Sequence, residues 1–195
     1  MIRHLIFLLA FVWGFAFWGF AFCQSSTDRN LNDEAPTGFQ SMYTPLELGD
    51  CFLLNASNWY GTGDIGPGFF SQECPALRGY KVIVHAGDLR SWLVLERADE
   101  EFVFRSNVWE ALGGAFPYIS GSLLEWRFLW SDDLSTQLVA LIYRMTRQNP
   151  ETFEDTSALV VLRMTGASPC LLGIAASNVE ARALADDLTQ TCATE

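Results

Sequence analysis

Charge is scarce in this chain, and lopsided. Only 18% of the 195 residues are charged, and a single lysine, Lys81, joins eleven arginines against 23 acids, for a net charge of −11. So acidic a chain repels phosphate backbones and anionic headgroups, which sets nucleic acid aside as a partner. Histidine is nearly missing, with only His4 and His85, so a multi-histidine metal centre cannot be built, and neither metal nor cofactor is expected. There is no Cys-x-x-Cys pair and no Gly-x-Ser-x-Gly elbow, which removes the spacing of a zinc site, a thioredoxin-like motif and a hydrolase nucleophile. What is abundant is apolar: half the residues are hydrophobic and 14% aromatic. That is too apolar for disorder, and the length suits one ordinary domain.

Charge is absent altogether from residues 5–22, a run of Phe, Leu, Ala and Trp preceded by Arg3 and His4. A basic start and an apolar run read as an export signal, because a globular helix would keep polar positions on one face. Ala21 and Cys23 offer small residues for a cut after Cys23, so residues 1–23 are expected to be a cleaved signal. Left uncleaved, residues 5–22 at ~1.5 Å per residue reach about 27 Å, enough for an N-terminal membrane anchor. Lipidation of Cys23 is the third course, with bulky Phe22 standing against it. Each places the rest of the chain outside the cytoplasm, periplasmic or secreted, since Arg3 holds the start of the segment inside. Residues 24–40 follow as a polar tether, and residues 41–195 as a single globular domain.

Beyond Cys23, four cysteines remain: Cys51, Cys74, Cys170 and Cys192. An oxidising compartment favours two disulfides over four free thiols. Four cysteines allow three pairings, and sequence alone does not choose among them. Two early and two late positions favour the local pairs, Cys51–Cys74 and Cys170–Cys192, each closing a loop worth about 3 kcal/mol.

Strand signals dominate the domain. Residues 79–86 and 89–97 alternate on either side of Gly87-Asp88, the pattern of a hairpin. Phe102 to Phe104 alternates again, and Leu124, Trp126, Phe128 and Trp130 share one face of the next strand. Residues 137–145 and 158–164 are apolar on both faces, which fits central strands, and a further apolar run covers 170–176. Only the C-terminus reads as helix. Ser177 and Glu180 form a capping box, and Val179, Ala183 or Leu184, and Leu188 recur at helical spacing, with Arg182, Asp186 and Asp187 toward water and Cys192 at the end. The expected class is α+β: a mainly antiparallel sheet, curved or barrel-like, with a C-terminal helix and two disulfides.

Few residues speak of chemistry. Gly61, Gly63 and Gly66 spell G-x-G-x-x-G, but Pro67 and Gly68 follow where a phosphate site needs a helix. The glycine-rich stretch carries Trp59, Tyr60, Asp64, Phe69 and Phe70, aromatics that can fill a partner's pocket or stack on sugars, or else fold back over the sheet. These five are the candidate binding residues. His85, with Asp88 nearby, is the one imidazole available for general-base catalysis in the exported part, but its place at a strand end favours a structural role. Glu125 and Arg127 flank Trp126, and with Arg90 and Glu96 read as a cross-strand ionic ladder. The acid pairs Glu100-Glu101, Asp132-Asp133 and Asp186-Asp187 read as solvated turns or helix surface. No catalytic residue is nominated.

Leu48-Gly49-Asp50-Cys51, Cys74-Pro75 with Gly79-Tyr80, Gly87-Asp88-Leu89-Arg90, Glu125-Trp126-Arg127 and a late Cys170 strand leading to a helix and Cys192 form an ordered series across most of residues 45–192. In this the chain resembles a family of uncharacterised exported proteins of Gram-negative bacteria. The resemblance implies a periplasmic or secreted domain with two disulfides, and brings no activity. The functional expectation is therefore a non-enzymatic envelope protein that binds a basic protein or an envelope glycan, with inhibition of a cell-wall hydrolase as one form of it. The alternatives are a carboxylate-dependent hydrolase of envelope polymers and a purely structural envelope component.

Overall fold

A computed structural model of the chain describes residues 38–57 and 69–192, all within the compact unit Ala35–Glu195. The leader, residues 24–37 of the tether and the three glycines of G-x-G-x-x-G lie outside the described residues. The strands are β1 (Gly38–Pro45), β2 (Phe52–Ser57), β3 (Phe69–Cys74), β4 (Lys81–Gly87), β5 (Arg90–Arg97), β6 (Glu100–Val103), β7 (Ala115–Ile119), β8 (Leu123–Trp130), β9 (Thr136–Gln148), β10 (Asp155–Arg163) and β11 (Cys170–Ala175). Two helices accompany them among the described residues, α1 (Arg105–Leu112) and α2 (Asn178–Asp186).

The strands form two antiparallel sheets. One runs β1-β8-β9-β10-β11, with β7 also paired to β9, and the other runs β2-β3-β4-β5-β6. Neither closes on itself, so the barrel-like alternative gives way to two open sheets, packed face to face. Alternation explains the packing. Val82, Val84, Leu93 and Leu95 from the second sheet meet Leu124, Trp126, Phe128, Leu141 and Tyr143 from the first in one continuous core. Each fully buried Leu or Phe there contributes about 1.5–3 kcal/mol. Trp126 anchors the layer: its ring packs against Tyr80 at 6.3 Å and its indole N–H donates to Thr44 Oγ1 at 2.9 Å. The central strands β9 and β10 are apolar on both faces because a second core, with Val139, Ile142, Leu159 and Val161, lies on the outer side beneath α2.

Both disulfides are the local ones, Cys51–Cys74 and Cys170–Cys192, with Cα atoms 4.3 and 5.9 Å apart. The capping box of α2 is present: Ser177 accepts from the Glu180 N–H, and the Glu180 carboxylate accepts from the Ser177 N–H. Five expectations need correction. The helix α1 is additional, and its Val108 and Leu112 enter the inter-sheet core. The buried face of α2 is Ala181 and Ala185, while Val179 is 79% exposed, because small residues let the helix sit close on the sheet. The helix ends at Asp186, so Cys192 lies beyond it on an irregular tail. Glu125 and Arg127 form no exposed ladder; they are buried beneath α2, bonded to Arg182 and Asp186, whereas Arg90 pairs with Asp88 and Glu96 with Lys81. Strand β1 also begins at Gly38, inside the tether segment, where pairing with β8 supplies its backbone partners.

Candidate functional site

At one end of the sandwich the sheets part around two adjoining cavities of about 560 and 320 Å³, which share Phe70, Ala86 and Ser91 as lining. The larger is built on the β4–β5 hairpin. Gly87 pairs with Arg90, which leaves Asp88 and Leu89 as a two-residue connection, both with positive φ (51° and 63°). That geometry suits the twist of a hairpin, but its favoured residues are Asn and Gly. Leu89 is bulky, 69% exposed, and strained in that conformation. Across the cavity stands Phe116, with φ 48°, directly before Pro117. A residue before proline prefers extended backbone, so Phe116 is unusual twice over. Three positive-φ residues, Asp88, Leu89 and Phe116, thus line a single cavity. Strain of this kind costs on the order of 1–3 kcal/mol per residue and gathers where function requires a fixed shape.

The polar groups around the larger cavity are mostly engaged within the protein. Ser91 Oγ accepts from the Ile119 N–H at 2.6 Å, which joins the two sheets at their margin. Gln148 Nε2 donates to the Phe153 carbonyl at 3.2 Å. Arg90 binds the Asp88 carboxylate and lays its guanidinium 4.8 Å from the Phe116 ring centre. The interior that remains is apolar: Phe70, Ala86, Leu89, Phe116 and Tyr118. Asp155 and, on the smaller cavity, Glu47 put exposed carboxylates at the rim.

Gln72 lies at the wall of the smaller cavity. Gln72 is 3% exposed and projects from β3 between the sheets. Its Nε2 donates to the Leu46 carbonyl at 3.3 Å and lies 3.7 Å from Cys74 Sγ. Its Oε1 has no hydrogen-bond partner among the described residues. Exchanging the two amide atoms would set two acceptors against each other at Leu46, so the orientation is fixed by chemistry.

Of the candidate binding residues, Phe70 lines both cavities. Phe69, its neighbour on β3, serves the opposite face: its ring lies on Gly87, where a Cβ would collide with it. Trp59, Tyr60 and Asp64 lie outside the described residues. Leu89, Phe116 and Gln72 are the site residues that sequence reading missed. The Gly87-Asp88-Leu89-Arg90 turn and the Phe116-Pro117 dipeptide were the available signals.

His85 also sits on the face opposite the cavities. Its Nδ1 is 2.7 Å from Ser71 Oγ, and its ring stacks on Trp92 at 5.3 Å. Asn55, Ser71, His85 and Trp92 form one cross-strand row through β2, β3, β4 and β5. Desolvation holds the imidazole below its ordinary 6.5, against the opposing fields of Glu101 and Glu96. Among the described hydrogen bonds no carboxylate reaches its other nitrogen, so the Ser–His contact has no third, orienting member. Arg105 stacks over Trp92 and Trp109, at 5.1 and 5.5 Å. Of the acid pairs, Asp133 accepts from Ser135, which holds its carboxyl below the usual range, and Thr189 and Gln190 do the same for Asp187. Among the described residues no group of three or more His, Cys, Asp or Glu is placed to hold a metal ion, and no helix is long and apolar enough to cross a membrane.

Comparison with known proteins yields no match: none among family models, none among curated proteins and none among solved structures.

Proposed function

We propose that this is an exported, non-enzymatic binding protein of the cell envelope, and that the paired cavities receive an apolar side chain carried by a basic protein partner. One observation carries the reading: a strained, apolar cavity of about 560 Å³ with most of its own polar groups already bonded and carboxylates at its rim. Natural ligand sites are mostly apolar with a few placed polar groups, and strained backbone collects at them. A sugar would bring several hydroxyls to a wall with few groups left to meet them, which favours a protein over a glycan here. The net charge of −11 draws a basic partner and repels an acidic one. A basic cell-wall hydrolase is a partner of the right charge, and inhibition is then the natural consequence of occupancy. Export is supported by the two disulfides, the apolar leader and the resemblance to exported Gram-negative proteins. The hydrolase alternative has less support, because Arg90 already holds Asp88 beside Asp155.

The test is capture from envelope extracts with the full chain and with Phe70→Ala. One basic protein, released by salt and lost with Phe70→Ala, is the expected result. Soluble fragments released from purified cell wall, with no protein retained, would replace the binder with the enzyme.

A further inference from the structure

A third cavity, of about 270 Å³, lies on the outer face of the first sheet, between the start of α2 and strands β1, β8, β9 and β10. It shares only Gly121 and Ser122 with the smaller of the paired cavities. We propose that it binds a carboxylate carried on a short apolar group. Its sign is opposite to that of the molecule: two arginines, Arg144 and Arg182, line it against one acid, Glu125. At physiological salt, charges more than about 8 Å away are largely screened. The net charge of −11 therefore does not decide what binds here.

Arg182 is the fixed member. Its Nε and Nη2 donate to Glu125 at 2.8 and 3.1 Å, and Nη2 also donates to the Tyr43 hydroxyl at 2.8 Å. Glu125 and Tyr43 line the same cavity, so the guanidinium sits at its wall. Arg144 is the uncompensated member. Among the described residues no carboxylate pairs with it, and its guanidinium has a single bond, from Nη1 to the Ser157 hydroxyl at 3.2 Å. Its stem is held in place, since the Ser120 and Gly121 N–H groups donate to the Arg144 carbonyl. A Cβ on Gly121 would come within 2.9 Å of the Arg144 Cβ, so only glycine admits the side chain there. The nearby acids are engaged elsewhere: Glu125 with Arg182 and Ser41, and Glu180 with the Ala176 and Ser177 N–H groups. A ligand carboxylate exchanges the exposed hydroxyl contact of Arg144 for charge-assisted bonds, roughly twice as strong.

The walls select the body that carries the charge. Leu123 and Tyr43 are 52% and 49% exposed, and Ile142 and Leu159 close the floor. An inorganic anion leaves that wall wet, whereas a branched aliphatic group covers it. Ser122 and Asn178, both exposed, are placed to meet one amide of the ligand. The chemical class is thus an aliphatic carboxylate, supplied by the C-terminal residue of a peptide or by a free short-chain acid.

The experiment titrates the full chain by calorimetry with N-acetyl-leucine, with its uncharged amide, and with inorganic phosphate as competitor. The carboxylate is expected to bind about tenfold more tightly than the amide, the effect of losing hydrogen bonds to a charged group. Phosphate should not compete. In Arg144→Gln the preference for the carboxylate should be lost. The comparison of acid and amide on the unaltered protein stands by itself should Arg144→Gln fold poorly. Tighter binding of acetyl-Ala-Ala-Leu than of isocaproate assigns the site to peptide ends, and the reverse order assigns it to free acids. Equal binding of acid and amide, no binding of either, a preference unchanged in Arg144→Gln, or phosphate competing as well as the acid overturns the site. Each of those results leaves the paired cavities as proposed, and Phe70→Ala should leave carboxylate binding unchanged.

Discussion

Arg127 on β8 holds Asp186 on α2 at two points, Nε on Oδ1 at 2.9 Å and Nη2 on Oδ2. A second pair lies beside it, with Arg182 Nε and Nη2 donating to Glu125 Oε1 and Oε2 at 2.8 and 3.1 Å. Ser41 links them, accepting from Arg127 Nη1 at 2.8 Å and donating to Glu125. Bonding to Glu125 raises the Arg182 guanidinium further above its ordinary value. Arg163 completes the attachment by donating to the Ala185 and Asp187 carbonyls, at 2.8 and 2.7 Å, at the end of the helix. A cation at that end also suits the helix dipole. The helix covers the sheet with two alanines, so these charged contacts fix where it sits.

Breaking one member of this network should be expensive. Arg127→Met is expected to destabilise the protein by about 2–3 kcal/mol, since it leaves a largely covered carboxylate without its partner. Adding Asp186→Leu should restore at least half of the loss. Urea unfolding midpoints of the two single variants and the double variant measure it.

The late disulfide has a separate contribution. Replacing Cys170 and Cys192 together by Ala should cost about 3 kcal/mol by the chain-entropy argument for a sequence separation of 22. Peptide mapping without reductant should find Cys51 joined to Cys74 and Cys170 to Cys192, and never a cross-pair.

His85 should make stability depend on pH in one direction. Burial lowers its affinity for a proton in the folded state, so the unfolded chain binds that proton more readily. Its contribution is therefore complete above 6.5 and is lost as the pH falls below that value toward the folded-state value. Unfolding free energies at a series of pH values should show this decline, and His85→Asn should flatten it.

Leu89 should trade stability for binding. Leu89→Gly relieves a bulky side chain at positive φ and is expected to stabilise the protein by about 0.5–1 kcal/mol. It also removes part of the cavity wall, so the same variant should bind the proposed basic partner more weakly. Thermal melts and titrations on one preparation check both halves.

Much of the sheet was legible because it obeys alternation. Leu124, Trp126 and Phe128 sit where a period of two puts them, and the apolar runs at 137–145 and 158–164 are the strands covered on both faces. The helices were harder to read. The apolar pair Val108 and Leu112 spans barely one turn of an eight-residue helix, too short to stand out from strand-like sequence. On α2, size misled: Val179 and Leu188 look like core but face outward, while Ala181 and Ala185, weakly hydrophobic, are fully buried. The site was half visible. Phe70 could be singled out as an aromatic beside glycines, but its partnership with Leu89, Phe116 and Gln72 depends on two sheets meeting, which no local pattern encodes.

If the hairpin end of the sandwich meets a basic protein, as proposed, a crosslinker placed there should trap it. The most direct measurement places a photo-crosslinking benzoylphenylalanine at position 89 of the full chain in its producing cell, and at position 134 as the control. Both native leucines are exposed, at 69% and 65%, and they lie near opposite ends of β9. A single discrete adduct with a basic envelope protein from position 89, absent from position 134, is the predicted result. Identical patterns from the two positions, or no adduct from position 89, would contradict the account.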